Sequence, residues 1–290
     1  ARFAPGLSLE FLGSLPEQLG LTLDGDSLTG MAPLIPDSLG PYLRHLPEWV
    51  LYFDQPPPEK VLILKTIGGQ QALAAVEAGA SSIMVQTPFP LLTKKLAESS
   101  HFPQIELRAT GARALLAEAC SEPCQMTEPR FDRILVAVES SAPVGSTGMD
   151  PLKTDPLMSL EGIQALLDRL APGGWLAVHR FLLPPPRGEM RLLATVIEVM
   201  RLKGWQAEQK LGVFRSLSTL MVLVSREAWT PEDSRRFSEF CLSRGFAPVY
   251  YPGMPETERN TGIRLPEPVY TQGVQELLAD PTSFHERTPF

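Results

Sequence analysis

The stretch Val61–Phe89 constrains the fold of this chain more than any other. Its first apolar run, Val61–Leu64, is followed by the pair Gly68-Gly69 and a helical stretch of small residues. A second apolar run, Ile83–Val85, completes a strand–loop–helix–strand unit of about 25 residues, the length that a right-handed parallel crossover requires. A glycine-lined turn at the carboxyl end of a strand lets a ligand approach the backbone, so the unit is typical of nucleotide- or nucleoside-binding α/β folds.

The alternation of strands and helices continues to Val224. Five strand–helix units are followed by a sixth strand, and a seventh is joined to it by a turn near Arg215-Ser216 that is too short for a parallel crossover. The last two strands must therefore form an antiparallel hairpin. The predicted strands are Val61–Lys65, Ser82–Gln86, Gln104–Arg108, Arg133–Val138, Trp175–Phe181, Ala207–Phe214 and Leu217–Val224. Six parallel strands, one antiparallel strand and helices on both faces predict a seven-stranded methyltransferase-type Rossmann sheet.

A smaller region is expected before this sheet. The dipeptide Asp24-Gly25 between two apolar runs predicts a β-hairpin, because a type I′ turn needs positive φ at both central residues. A short helix is predicted from about Asp37 to Leu46, with Asp37 or Ser38 as its N-cap. The proline-rich stretch Gln55–Glu59 then leads into the sheet. Residues 1–58 are therefore interpreted as an N-terminal β-hairpin region and residues 59–226 as the Rossmann-like domain.

Residues 227–290 are interpreted as a C-terminal α/β extension packed on that domain. Thr230 is a candidate N-cap for a helix over Pro231–Arg244, and Ala247–Tyr251 predicts a further short strand. A last helix is expected near Val274–Ala279, within a segment that is otherwise rich in loops.

Composition excludes several functions. The chain has 26 basic and 33 acidic residues, a net charge of −7, and the charges are mixed, so no basic stripe for nucleic acid is present. The pair Cys120 and Cys124 lacks companion ligands, and we predict no metal site. No apolar run approaches the roughly 20 residues that span a bilayer. His179 lies within a predicted strand and is interpreted as a core or edge residue.

Seven segments carry a resemblance through their order and spacing rather than through any one motif. They are RFAPGLSLEF (Arg2–Phe11), LTLDGD (Leu21–Asp26), HLP (His45–Pro47), the Val61–Phe89 unit, FDRILV (Phe131–Val136), LAPGGWLAVHRFLLPPPR (Leu170–Arg187) and FCLSRGFAPVYYPGMPE (Phe240–Glu256). Together they resemble the spermidine-synthase-like family, specifically the soluble domain of bacterial proteins that attach it to membrane-spanning helices.

The resemblance implies a site for S-adenosylmethionine or its decarboxylated form, and the transfer of an aminopropyl or methyl group. A nucleoside or a polyamine would be the small-molecule partner. It also implies that a membrane-spanning segment belongs to the parent chain and that the domain lies in the cytoplasm or at the cytoplasmic face of a membrane. Formation of an oligomer is compatible with it.

Position by position, the predicted donor site departs from the family pattern. The family's first loop has the form G-x-G-G-G, and the same places here hold Lys65, Thr66, Ile67, Gly68 and Gly69. Side chains with a Cβ would take the space of the nucleoside, and an ammonium group would repel a sulfonium. The family's ribose-binding acid corresponds to the uncharged Gln86, which weakens such a contact by roughly 1 kcal/mol.

The remaining predicted positions follow from the third and fourth strands. Thr110, beside Gly111, stands where the family has an acid near the adenine amine. Glu139 is the candidate catalytic carboxylate, because it is the only acid where the family places its catalytic aspartate. Asp150 and Asp155, in the loop that follows, are candidates for an acidic mouth that binds a polyamine, although loop acids are often simply solvated.

Three hypotheses therefore remain open from the sequence. The first is a domain with a degraded S-adenosyl-nucleoside site that serves in binding, sensing or scaffolding. The second is an active aminopropyltransferase or methyltransferase with an atypical pocket. The third is a structural assembly module with no ligand pocket. Packing of a helix against a sheet by itself explains the small residues of Ala72–Ala78.

Overall fold

The structure, a computed structural model, describes residues 4–23, 27–66, 68–87, 89–118, 130–137, 155–182 and 188–280. Ten strands and eight α-helices lie in these ranges. The strands are β1 (Leu19–Leu23), β2 (Ser27–Met31), β3 (Lys60–Leu64), β4 (Ser82–Gln86), β5 (Ile105–Arg108), β6 (Phe131–Val136), β7 (Leu170–Phe181), β8 (Leu211–Arg215), β9 (Thr219–Ser225) and β10 (Ala247–Tyr250). The helices are α1 (Gln70–Glu77), α2 (Pro90–Ser99), α3 (Ala112–Glu118), α4 (Leu160–Asp168), α5 (Gly188–Leu202), α6 (Ala207–Lys210), α7 (Pro231–Ser243) and α8 (Val269–Ala279).

Eight of the strands form one sheet in the order β10-β8-β9-β7-β6-β3-β4-β5, and β1 and β2 form a separate antiparallel hairpin. Strands β3 to β7 are mutually parallel where they pair, and β9 is antiparallel to both β7 and β8. This confirms the predicted arrangement of six parallel strands and one antiparallel strand. The predicted extra strand joins the same sheet as an eighth member, with β10 antiparallel to β8.

The central strands are apolar throughout because both faces of the sheet are covered. Val61 and Ile63 belong to the core on one face, and Leu62 and Leu64 belong to the core on the other. The first face packs against α1, α2, α7 and the N-terminal segment. The second face packs against α3, α4, α5 and α8. The boundaries predicted at residues 58 and 226 remain predictions.

The short helix predicted from Asp37 to Leu46 is wrong. Two 3-10 turns, Pro36–Ser38 and Pro41–His45, replace it. A third, Pro47–Leu51, follows, and each of the three begins at a proline. Proline favours the first position of a helix but lacks the N–H that a longer α-helix needs at its interior positions. Asp37 and Ser38 therefore lie inside a turn and do not cap one.

Two strand boundaries also differ from the prediction. The first four residues of the predicted strand Ala207–Phe214 form the helical turn α6, and the strand begins at Leu211. Strand β7 begins at Leu170 instead of the predicted Trp175, and Pro172–Gly174 lies within it at a shift of register against β6. The predicted cap Thr230 is confirmed, since it forms a reciprocal capping box with Asp233. Ser159 caps α4 by accepting a hydrogen bond from Gly162 N.

A buried polar chain connects the N-terminal turns to the sheet. Thr66 Oγ1 donates to Gln71 Oε1 at 2.7 Å, and Gln71 Nε2 donates to Glu48 Oε1 at 3.0 Å. The same carboxylate oxygen lies 3.0 Å from His179 Nδ1. Glu48 and His179 are 1% and 0% exposed. His179 is thus a core residue, as predicted, but with a charged partner from a distant segment.

The pair holds Glu48 in its ionised form. Burial acts to raise the pKa of the Glu48 carboxyl, but the charge of His179 and the hydrogen bonds from His179 and Gln71 outweigh it, so the pKa lies below its ordinary value near 4.5. A carboxyl group with a lowered pKa in the folded state stabilises the fold above its unfolded pKa. That stabilisation is lost as the pH falls through the folded pKa.

We expect Glu48→Gln to lower the free energy of unfolding at pH 7 by about 1–3 kcal/mol, because the buried contacts of Gln71 and His179 with a charged carboxylate are replaced by contacts with a neutral amide. The deficit relative to the wild type should shrink as the pH falls from the unfolded value near 4.5 through the lower folded pKa of Glu48, because protonation removes the advantage of the ionised carboxylate. Urea denaturation at pH 7 and at a pH below the folded pKa of Glu48 measures both effects. Glu59→Gln, at a side chain that is 77% exposed, is the control, and equal losses at pH 7 would contradict the buried pair.

Candidate functional site

The loop after β3 lies beneath the end of the N-terminal hairpin. Ala32 N donates to Gly68 O at 2.8 Å. Gly69 has a φ of +74°, and a Cβ added to it would lie 2.9 Å from Ala32 O and 3.1 Å from Leu96 Cδ2. A Cβ on Gly68 would lie 2.9 Å from Gly30 O. Both glycines are therefore needed for close packing against the protein's own backbone.

Lys65 follows β3 directly and has a left-handed backbone, with a φ of +63°. This conformation strains a residue that carries a Cβ. Its ammonium group lies 2.8 Å from Asp155 Oδ2, and its side chain is 12% exposed. Two predicted site residues that lie 90 positions apart are thus in direct contact.

Gln86, at the end of β4, connects the ends of three neighbouring strands. Its Oε1 accepts a hydrogen bond from Lys65 N at 2.9 Å, after β3, and its Nε2 donates to Thr110 O at 2.7 Å, after β5. Gln86 is 1% exposed. An acid here would place an oxygen against the Thr110 carbonyl, so these contacts specify an amide and leave almost none of it open to a ribose.

Asp155 has further partners besides Lys65. Its Oδ1 accepts a hydrogen bond from Leu157 N at 3.1 Å, which caps the 3-10 turn Pro156–Met158. Its Oδ2 also lies 3.4 Å from Arg180 Nη1, near the carboxyl end of β7. Among the described residues, Asp155 therefore contacts two cations, Lys65 and Arg180. Its predicted place in an acidic mouth with Asp150 remains a prediction.

The other predicted positions are only partly described. Gly111 has no atom within 4 Å of an added Cβ. The Thr110 hydroxyl is buried and has no hydrogen-bond partner among the described residues. Ile67, Glu139 and Asp150 lie outside the described residues, so their predicted roles remain predictions.

Sequence reasoning missed Arg180 and Glu48. Arg180 directly follows His179 near the carboxyl end of a strand, the position at which α/β sheets bind ligands, and that placement was a usable signal. Glu48 offered none, because an acid between a proline and a tryptophan in a short turn resembles any solvated loop residue. Only the fold places it against β7.

Solved structures of similar fold are known, although sequence comparisons find no relative. No family model matches this chain, and no curated protein matches it. The structure of a probable spermidine synthase from Corynebacterium glutamicum is 15% identical, with a TM-score of 0.53, over 82% of this chain and 83% of that one. Spermidine synthase from Thermotoga maritima is 14% identical, with a TM-score of 0.48, over 78% and 71% of the two chains. Human methyltransferase-like protein 13, solved in complex with SAH, is 13% identical, with a TM-score of 0.49, over 72% and 92%.

The first of these structures, with a TM-score above 0.5, shows that this chain has the fold of a probable spermidine synthase. At these identities the likeness extends to the fold alone. Within the described ranges, no helix is both long enough and apolar enough to cross a bilayer.

A pair of glycine substitutions tests the contact between the hairpin and the loop. Gly173, with a φ of +68°, has no atom within 4 Å of an added Cβ, so Gly173→Ala should cost only the backbone strain of about 1–2 kcal/mol. Gly69→Ala adds a clash with Ala32 O and should cost about 1–3 kcal/mol more. Chemical denaturation of both variants measures the difference. Equal losses would show that the hairpin end does not restrain the loop.

Proposed function

We propose that this domain is a non-catalytic binding, sensing or scaffolding module with an aminopropyltransferase-like and methyltransferase-like fold. Its own side chains replace the S-adenosyl nucleoside at the carboxyl edge of the sheet. The observation that carries the proposal is the Gln86 amide, which is 1% exposed and bonded on both sides to Lys65 N and Thr110 O. A residue that binds a ribose must present its oxygens to the cleft, and this one does not.

The charges at the same edge support the proposal. Among the described residues, the Lys65 ammonium and the Arg180 guanidinium both approach the Asp155 carboxylate. A sulfonium ligand would bring a further positive charge into a partly buried cleft, where repulsion between charges is stronger than in water. The described residues at this edge therefore do not fit S-adenosylmethionine or its decarboxylated form held in the usual way.

The hairpin end gives a third line of support. Gly30 O and Ala32 O lie where side chains on Gly68 and Gly69 would extend. The glycines that would let a nucleoside approach the loop are instead used by the protein's own backbone.

The alternative is an active aminopropyltransferase or methyltransferase that uses Glu139 as its base and Asp150 at its acceptor site.

We further propose that the domain lies at the cytoplasmic face of a membrane, attached to a membrane-spanning segment of the parent chain. Fractionation of cells that express the parent gene tests that location.

Calorimetric titration of the chain with S-adenosylmethionine and with its decarboxylated form decides between the two functions. We expect no binding up to about 1 mM, where a complex would be worth only about −4 kcal/mol. A dissociation constant below about 100 μM for either compound would favour the active transferase. Binding regained by the double variant Lys65→Gly, Ile67→Gly, but not by Lys94→Gly in α2, would localise the obstruction to the loop.

A further inference from the structure

A narrow cleft of about 210 Å³ lies at the end of β8, between the edge strand β10 and the first turn of α8. Arg215 is the last residue of β8 and lies opposite Ala247 of β10. The cleft is separate from the contacts of Gln86, which follow β3, β4 and β5 in the other half of the sheet. The side chains that give the cleft its polar lining are Arg215, Asn260, Tyr270 and Thr271.

Arg215 is a buried cation without an acidic partner. It is 4% exposed, its Nη2 donates to the carbonyl oxygen of Ile263, and it forms no ion pair with any described residue. A buried charge is normally paired with an opposite charge, because its removal from water is costly. A single carbonyl oxygen uses one of the five N–H donors of the guanidinium and supplies no charge.

A second buried arginine, Arg133, shows what is missing at Arg215. Arg133 is 6% exposed and also donates to a backbone carbonyl oxygen, at 2.8 Å. Burial lowers its pKa, and the carboxylates of Asp132 and Asp233 are among the groups that oppose this effect. Burial also lowers the pKa of Arg215, but there the opposing group is the phenol of Tyr270. The cleft therefore contains a positive charge that no carboxylate of the described residues balances.

The first turn of α8 adds backbone donors beside the guanidinium. The helix has 11 residues and begins after Pro268 without a side-chain cap. The N–H groups of Tyr270 and Thr271 have no hydrogen-bond partner in the described part of the chain. Unpaired N–H groups at the start of a helix favour a negative charge. The Arg215 Cζ lies 5.9 Å from the centre of the Tyr270 ring, so both sets of donors belong to one cleft.

Two acids belong to the surrounding elements, and neither forms an ion pair with Arg215. Glu189 lies on α5, and it raises the pKa of Tyr270 together with the larger effect of burial. Glu267 precedes α8, and its side chain is exposed. The counter-charge of Arg215 must therefore come from outside these groups.

We propose that this cleft binds a halide-sized monovalent anion between the Arg215 guanidinium and the first turn of α8. The space among the lining residues suits an ion of about the size of one water molecule, which excludes larger anions. The anion supplies the missing counter-charge and connects α8 to the end of β8. The site is independent of the proposed function, because it does not involve the contacts of Gln86.

Thermal unfolding in sodium chloride and in sodium gluconate, at equal ionic strength, tests the site, since gluconate is too large for the cleft. Relative to Arg215→Met, the wild type should gain about 2–4 °C in its unfolding midpoint when chloride replaces gluconate, because a ligand bound to the folded state alone stabilises it. Arg226→Met is the matched control and should gain as the wild type does. Arg226 is likewise an arginine that donates to a backbone carbonyl oxygen, that of Leu170.

The position of the ion provides a second measurement if Arg215→Met does not fold. Anomalous diffraction from crystals of the wild type in sodium bromide should show a bromide ion within hydrogen-bond distance of the Arg215 guanidinium, and an empty cleft overturns the proposal. It is also overturned if the wild type and Arg215→Met respond equally to the exchange of anions, or if Arg226→Met loses the response as well. Such a failure leaves the proposed function intact, whereas binding of S-adenosylmethionine overturns that function alone.

Discussion

The hydrogen bonds of the Gln86 amide are the interaction on which the carboxyl edge of the sheet depends. Parallel strands end in a row of backbone groups, and each buried group needs a partner. Gln86 supplies partners for Lys65 N and Thr110 O, on either side of its own strand. An aspartate or glutamate would satisfy the first of these groups but would oppose an acceptor to the second. The contacts of this one residue therefore specify an amide at the end of β4.

Two polar connections join the end of β3 to β7 across β6. The first runs through Lys65, Asp155 and Arg180, and the second runs from Thr66 through Glu48 to His179. Lys65 adjoins Thr66 in sequence, and Arg180 adjoins His179. The connection through Asp155 is partly exposed, whereas the one through Glu48 is buried. The two connections therefore adjoin at both ends, one at the carboxyl edge of the sheet and the other against the N-terminal turns.

The sequence allowed the sheet to be predicted because a strand covered on both faces is apolar at every position. Val61–Leu64 and Ile83–Val85 show that pattern, and the short turn before Leu217 required the antiparallel pair. The site was less predictable, since its contacts depend on residues far apart in the chain. Lys65 meets Asp155 across 90 positions, and no local pattern encodes such a pair. The same limit applies to Glu48, whose partner His179 is 131 residues away.

The eighth strand has a consequence for the outer rim of the sheet. Among the described strands, β10 is terminal on one side. It is only four residues long, contains Pro248, and its register shifts between Pro248 and Tyr250. A proline offers no N–H, and an irregular edge is a poor template for pairing with another chain. At the opposite rim, β5 is equally short and carries the exposed pair Glu106 and Arg108. Both rims are thus protected against the edge-to-edge association that leads to aggregation.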